Sequence, residues 1–189
     1  YFEYPLAYCF SLFGQFVNSN ILNKCSILLD DEVYVRSVEV HCRNPGGTGI
    51  PLHQDNAYYG LKKGKACTLF IPLNIPEKNS GNLTYLQNEI GSEYEHQSSS
   101  ESAFSLKVNN SDEALLLKRR QIEGLNIRDG YIHHSHSIHF ADNVPFNSSR
   151  TWAIRITFYG LNDSVRVGHK EWYRDIVSKH REKCQDLKE

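Results

Sequence analysis

The rhythm of apolar and polar positions changes near residue 30 of this 189-residue chain. Before that point, the segment from Tyr1 to Leu29 carries Leu12, Phe16 and Ile21 on a loose helical period, with Pro5 near its start, so one or two helices are predicted there. From Glu32 the run Glu-Val-Tyr-Val-Arg-Ser-Val-Glu-Val-His-Cys alternates and is rich in β-branched residues, the texture of a half-buried strand. Asn44-Pro-Gly-Gly-Thr-Gly49 then ends it with a turn. Short strand-like runs follow at Ala66–Leu73, Asn82–Leu86, Ala114–Leu117, Tyr131–His139 and Thr151–Tyr159, with Glu77–Gly81 as a polar turn. Residues 92–112 are rich in Ser, Glu and Asn with few apolar anchors and read as a long loop, a candidate lid. Residues 169–188 read as a charged helix whose Trp172 and Ile176, one turn apart, form a buried edge.

Many short strands between terminal helices predict a mainly β fold, a β-sandwich or jelly roll. The length suits a single domain over 1–189, divided into a helical flank (1–31), a β core (32–160) and a C-terminal helix (161–189). Composition adds exclusions. A hydrophobic content of 40% and a charged content of 23% are ordinary for a soluble domain. A net charge of −1 offers no global field for nucleic acid or an anionic membrane, and Lys118-Arg119-Arg120 reads as a solvated face. No apolar run reaches the ~20 residues of a membrane span. The aromatic-rich opening also lacks the basic start and small-residue cleavage site of a signal peptide. Cys9, Cys25, Cys42, Cys67 and Cys184 form no C-x-x-C pair and read as reduced thiols. They outweigh the glycosylation-type matches at Asn82, Asn109, Asn147 and Asn162, so a cytoplasmic location is expected. Because the chain opens on Tyr1 and contains no Met, a truncated or processed start is expected.

The candidate chemistry lies in Pro51-Leu-His53-Gln-Asp55. In an extended segment His53 and Asp55 leave the same face, as two ligands of one metal must, although His-x-Asp alone is more often a surface hydrogen bond. A third ligand is offered by His133-His-Ser-His-Ser-Ile-His139. Strand alternation puts His133 and His139 on one face and His134 and His136 on the other. If the first face looks inward, His139 is the ligand and His133 a neighbouring wall or partner. Two imidazoles and one carboxylate can hold a ferrous ion on one side and leave positions for a chelating co-substrate and dioxygen. Arg150, opening the next strand, supplies a planar fork suited to a distal carboxylate. Arg155 competes for that role, but it lies on the opposite face in mid-strand, where a structural or external role is expected. The set reads as a non-haem iron, 2-oxoglutarate-dependent oxygenase. Two other readings use the same residues. One is a zinc hydrolase, which leaves Arg150 without a task and supplies no evident general base. The other is a catalytically silent jelly-roll binding module.

From Arg43 to Tyr159 the chain resembles the phytanoyl-CoA dioxygenase family of iron(II)/2-oxoglutarate oxygenases. The shared marks are Arg43-Asn-Pro-Gly-Gly leading to Pro51-Leu-His-Gln-Asp, then Ala66-Cys-Thr-Leu-Phe-Ile-Pro-Leu and Asn79-Ser-Gly-Asn-Leu. Asp129-Gly-Tyr-Ile-His-His-Ser-His-Ser-Ile-His-Phe-Ala-Asp-Asn follows, ending in Arg150. The resemblance implies a double-stranded β-helix, the cupin-like jelly roll, with Fe(II) on His53, Asp55 and His139, 2-oxoglutarate as co-substrate at Arg150, and O2. It further implies that Arg43 approaches the co-substrate, that Phe70 lines its pocket, and that Asn143 shapes the loop after His139. It implies a small-molecule substrate. From the residues themselves, Tyr58, Tyr59 and the 92–112 loop are expected as walls facing it, with ordinary packing the equal alternative for the tyrosines. His133 is expected as a further wall beside His139. Relatives that halogenate carry a small residue in place of the carboxylate, so Asp55 implies hydroxylation with release of succinate and CO2. One departure stands at Ala141, where many relatives carry a hydroxyl that helps hold the co-substrate; Thr151 is a candidate replacement. Family members also carry a longer N-terminal region.

Overall fold

The structure is a computed structural model that describes residues 2–3, 14, 17–74, 83–89, 91–101, 104–117, 121–123 and 130–186. Most of the helical segment expected before residue 17, the 77–81 turn and Lys118–Arg120 lie outside the described residues. Eleven strands and four helices are described. The strands are β1 (Phe2–Glu3), β2 (Val33–Arg43), β3 (Ile50–Gln54), β4 (Ala66–Pro72), β5 (Leu83–Leu86), β6 (His96–Ser98), β7 (Leu106–Val108), β8 (Gln121–Glu123), β9 (Tyr131–His134), β10 (Ile138–Ala141) and β11 (Thr151–Gly160). The helices are α1 (Ser19–Leu29), α2 (Asn56–Tyr59), α3 (Asn110–Leu116) and α4 (His169–Asp186). One sheet has the order β1-β2-β11-β4-β9 and the second β3-β10-β5-β8, every pairing antiparallel. This is a jelly-roll core with flanking helices, as the strand pattern predicts.

Which face of each sheet is apolar decides where chemistry can sit. On the first sheet Val38, Cys67, Leu69, Ile154, Ile156 and Phe158 pack outward against Cys25 and Leu29 of α1. Burying each large side chain there contributes about 1.5–3 kcal/mol. Period-two alternation then sends Glu39, Thr68, His133, Arg155 and Thr157 to the opposite face, toward the second sheet. The second sheet repeats the scheme. Leu52, Leu86 and Ile138 cluster outward with Val108 of β7 and Leu116 of α3, so His53, Tyr85 and His139 point inward. The core of the barrel is therefore polar, and its apolar faces are covered from outside.

Three elements differ from expectation. Ala114–Leu117 is not a strand: Asn109 accepts from Asp112 N and caps α3, with Asp112 and Glu113 in the first turn complementing the helix dipole. Residues 92–112 are not a free loop. They hold the β6–β7 hairpin, which α4 fastens through His180 Nδ1 to Ser99 O (2.8 Å) and Lys183 Nζ to Ser98 O (2.9 Å). Tyr131–His139 is two strands in different sheets, separated by a turn at Ser135–Ser137. In α4 the buried edge runs through Ile176 and His180, while Trp172 is 38% exposed. Among the described residues no helix is long and apolar enough to cross a membrane.

Candidate metal centre

His53 comes from β3, Asp55 from the step between β3 and α2, and His139 from β10, where it pairs directly with His53 across the ladder. One ligand atom from each lies within 4.8 Å of the others. His53 Nε2 and His139 Nε2 stand 3.7 and 4.0 Å from Asp55 Oδ1, with the imidazole centroids 4.2 Å apart. All three residues are buried. The imidazoles are set in one tautomer. His53 Nδ1 is 2.7 Å from Pro51 O and His139 Nδ1 is 3.0 Å from Ser137 O. A carbonyl can only accept, so each Nδ1 carries the hydrogen and each Nε2 offers its lone pair to the same space. Bonds of ~2.0–2.2 Å to a divalent ion require the three atoms to draw in by less than about 1 Å. The donor set fits a first-row metal.

Asp55 is held from all sides. Its Oδ1 accepts from Arg155 Nη2 at 3.0 Å. Its Oδ2 faces Thr68 Oγ1 (2.9 Å), Tyr59 OH (3.2 Å) and His133 Nε2 (3.2 Å). Burial acts to raise this carboxyl, but Arg155 opposite it, with the His133 and His53 contacts, holds it well below the usual carboxylate range. Burial, reinforced by the neighbouring imidazoles, holds His139 well below the usual histidine range, in the neutral form a metal requires. Arg155 also reaches Glu39 Oε2 at 3.3 Å and donates to Tyr59 OH. Burial works against its charge, and the Asp55 carboxylate, Tyr59 and Glu39 outweigh that effect.

The sequence points to Arg150 as the co-substrate cation and to a structural or external role for Arg155; the structure brings Arg155, not Arg150, to Asp55. Arg155 contacts the ligand carboxylate, whereas Arg150 is exposed and its carbonyl accepts from Asn74 Nδ2. The reason lies in β11: Ile154, Ile156 and Phe158 face α1, so the odd-numbered residues face inward. Arg43 donates to Thr48 O and Asp142 O, linking the turn before β3 to the chain leaving β10. Asn143 does shape that loop, accepting from Gly49 N at 2.6 Å. Phe70 shares the inward face of β4 with Thr68 and stacks on Tyr131 at 5.3 Å. Tyr58 lies edge-on to His53 at 5.6 Å, its hydroxyl receiving Leu106 N, and Tyr59 turns to the carboxylate. His133 meets the same carboxylate from β9. Thr68, Tyr85 and Glu39 were missed as site residues, and Arg155 was weighed only for the co-substrate. The available signal was the alternation itself, polar residues regularly interleaved with apolar ones that need a helix as cover.

No protein-family model matches the chain, and no curated protein matches it in sequence. Solved structures do match in fold. The non-haem α-ketoglutarate-dependent carbocyclase SnoK from nogalamycin biosynthesis superposes with a TM-score of 0.60 at 17% identity, over 82% of this chain and 62% of that one. The epimerase SnoN, solved with Fe3+, α-ketoglutarate and nogalamycin RO, gives 0.62 at 12% identity, over 77% and 57%. EvdO2 from Micromonospora carbonacea var. aurantiaca gives 0.61 at 16% identity, over 88% and 68%. The chain thus spans about three fifths to two thirds of the length of these neighbours. It has the fold shared by these structures, among them the non-haem α-ketoglutarate-dependent SnoK and SnoN.

Proposed function

We propose that this chain is an Fe(II)/2-oxoglutarate-dependent oxygenase that hydroxylates a small-molecule substrate, releasing succinate and CO2. The observation that carries the reading is the convergence of His53 Nε2, His139 Nε2 and Asp55 Oδ1, with both imidazoles fixed through Nδ1. Ferrous iron bound there supplies the redox chemistry that joins oxidative decarboxylation of the co-substrate to attack on a C–H bond. The chain supplies the rest. His53, Asp55 and His139 would hold the metal from one side, leaving the other for co-substrate and O2. Arg150, immediately before β11, is the cation we assign to the distal carboxylate of 2-oxoglutarate, because Arg155 is already engaged by Asp55, Glu39 and Tyr59 at the metal end of the barrel. Asp55 as a carboxylate leaves no room for a halide ligand, which favours hydroxylation. Tyr58 and Phe104, both flanking His53, wall the site against water.

The test is an anaerobic titration of metal-free protein with Fe(II) and then 2-oxoglutarate, watched in the visible for the metal-to-ligand charge-transfer band. A band that disappears in His139→Ala supports the reading. Iron uptake without any band would sink it and favour a hydrolytic or silent metal site.

A further inference from the structure

Asp55 uses its two oxygens differently. Oδ1 faces both ligand nitrogens, and Oδ2 is turned toward Thr68, Tyr59 and His133. An ionised carboxylate only accepts, so His133 Nε2, 3.2 Å away, must carry a hydrogen. In the neutral ring Nδ1 is then bare, and Tyr85 OH lies 2.9 Å from it, placed to donate. Tyr85 is also the direct ladder partner of His139, with its ring 5.6 Å from that imidazole and 5.4 Å from His133. Tyr131 closes the far side of the phenol at 5.8 Å, edge-on. A string of donors thus runs from β5 through β9 to the metal-facing carboxylate, joining the two sheets.

Resting on the metal-centre reading above, we propose that Tyr85 and His133 form a positioning pair. Tyr85 fixes the tautomer of His133, and His133 holds Oδ2 so that Asp55 meets the metal through Oδ1 alone. Single-oxygen ligation keeps the remaining coordination positions open. Without the pair Oδ2 keeps only Thr68 and Tyr59, and the carboxylate turns more readily to bind through both oxygens. Both residues act through Asp55.

The experiment measures Co(II) affinity of the full chain by chelator competition, together with the visible cobalt spectrum, which reports coordination number. His133→Phe is expected to weaken cobalt binding by about 10–100-fold and to alter the spectrum. His133→Gln presents a carboxamide N–H to Oδ2 without help from Tyr85, and is expected to recover most of the affinity. Tyr85→Phe should weaken binding by about 5-fold in the wild-type background and not at all in His133→Gln. A role in packing alone predicts the reverse: His133→Phe, close in shape, retains wild-type affinity, and Tyr85→Phe has the same effect in both backgrounds. Either result would overturn the pair. Wild-type protein that takes up no cobalt would instead overturn the metal-centre reading, and the pair with it.

Discussion

Removing Arg155 tests the centre most directly, because this guanidinium is the cation between two inward carboxylates. Its side chain is 20% exposed, against 4% for Asp55 and 12% for Glu39, and it stands 3.0 and 3.3 Å from them. Arg155→Met keeps the apolar stem and deletes the charge, leaving both carboxylates without their main partner. Breaking a buried pair from one side costs about 3–5 kcal/mol. For a chain of this size each kcal/mol lowers Tm by about 2–4 °C, so the metal-free variant should melt roughly 6–20 °C below wild type. A divalent ion supplies Asp55 with another cation, so saturating Co(II) should return part of that loss. Arg150→Met is the control. Its exposed side chain should leave stability within about 0.5 kcal/mol. Urea unfolding of the metal-free proteins gives the first comparison, valid where the m-value is unchanged. The charge-transfer titration gives the second: Arg150→Met should need at least about 10-fold more 2-oxoglutarate, whereas Arg155→Met, acting through Asp55, should weaken Fe(II) binding itself. If Arg155→Met is as stable as wild type, the inward ion-pair network is wrong. If Arg150→Met takes up the co-substrate as wild type does, the assignment of the cation is wrong.

Metal addition should stabilise the wild type by about 2.7 kcal/mol at one hundred times the dissociation constant; His139→Ala should show no such gain in a melt with and without Co(II). Burial holds His96 down at about 4, with its Nε2 receiving Gln54 N and its Nδ1 facing Tyr94 O. The unfolded chain takes this proton near 6.5 and the folded chain refuses it until about 4, so the contribution is complete above 6.5 and falls as pH drops through that window. It amounts to about 3 kcal/mol at the acid end. Urea unfolding at several pH values should find this slope reduced in His96→Gln; an unchanged slope would place the acid sensitivity elsewhere. At Gly49 a Cβ would stand 2.5 Å from Ala141 O, where the β3 and β10 backbones approach. Gly49→Ala should therefore cost about 1–3 kcal/mol by equilibrium unfolding and weaken metal binding, since both strands carry ligands.

Most strands and the three residues of the candidate metal cluster were legible in the sequence, because alternation and spacing are local properties. Chain reversals and helix caps were harder. Ala114–Leu117 has the composition of a strand, and the Asn109 cap that makes it helical counts as one more polar residue until its acceptor role is seen. His133 and His139 were grouped by assuming one continuous strand. They do reach the same carboxylate, but from opposite sheets, because the turn at Ser135–Ser137 carries the chain across the barrel.

The arginines expose a deeper limit. Alternation along β11 separates Arg155 from Ile154 and Ile156 but does not say which face is inside, and in most β-sandwiches the apolar face is. Here that habit is reversed, since α1 covers the apolar face of the first sheet from outside. What remains between the sheets is Glu39, Asp55, Thr68, His133, His139 and Arg155, every one buried or nearly so. Enclosing so many polar groups is costly unless each is partnered. Among the described residues no buried side-chain polar atom lacks a partner. Hydrophobic residues in the same positions would stabilise a jelly roll more simply. A fold that instead arranges two imidazole lone pairs and one carboxylate oxygen toward a common point, with arginine beside them, has an interior specified by chemistry rather than by packing.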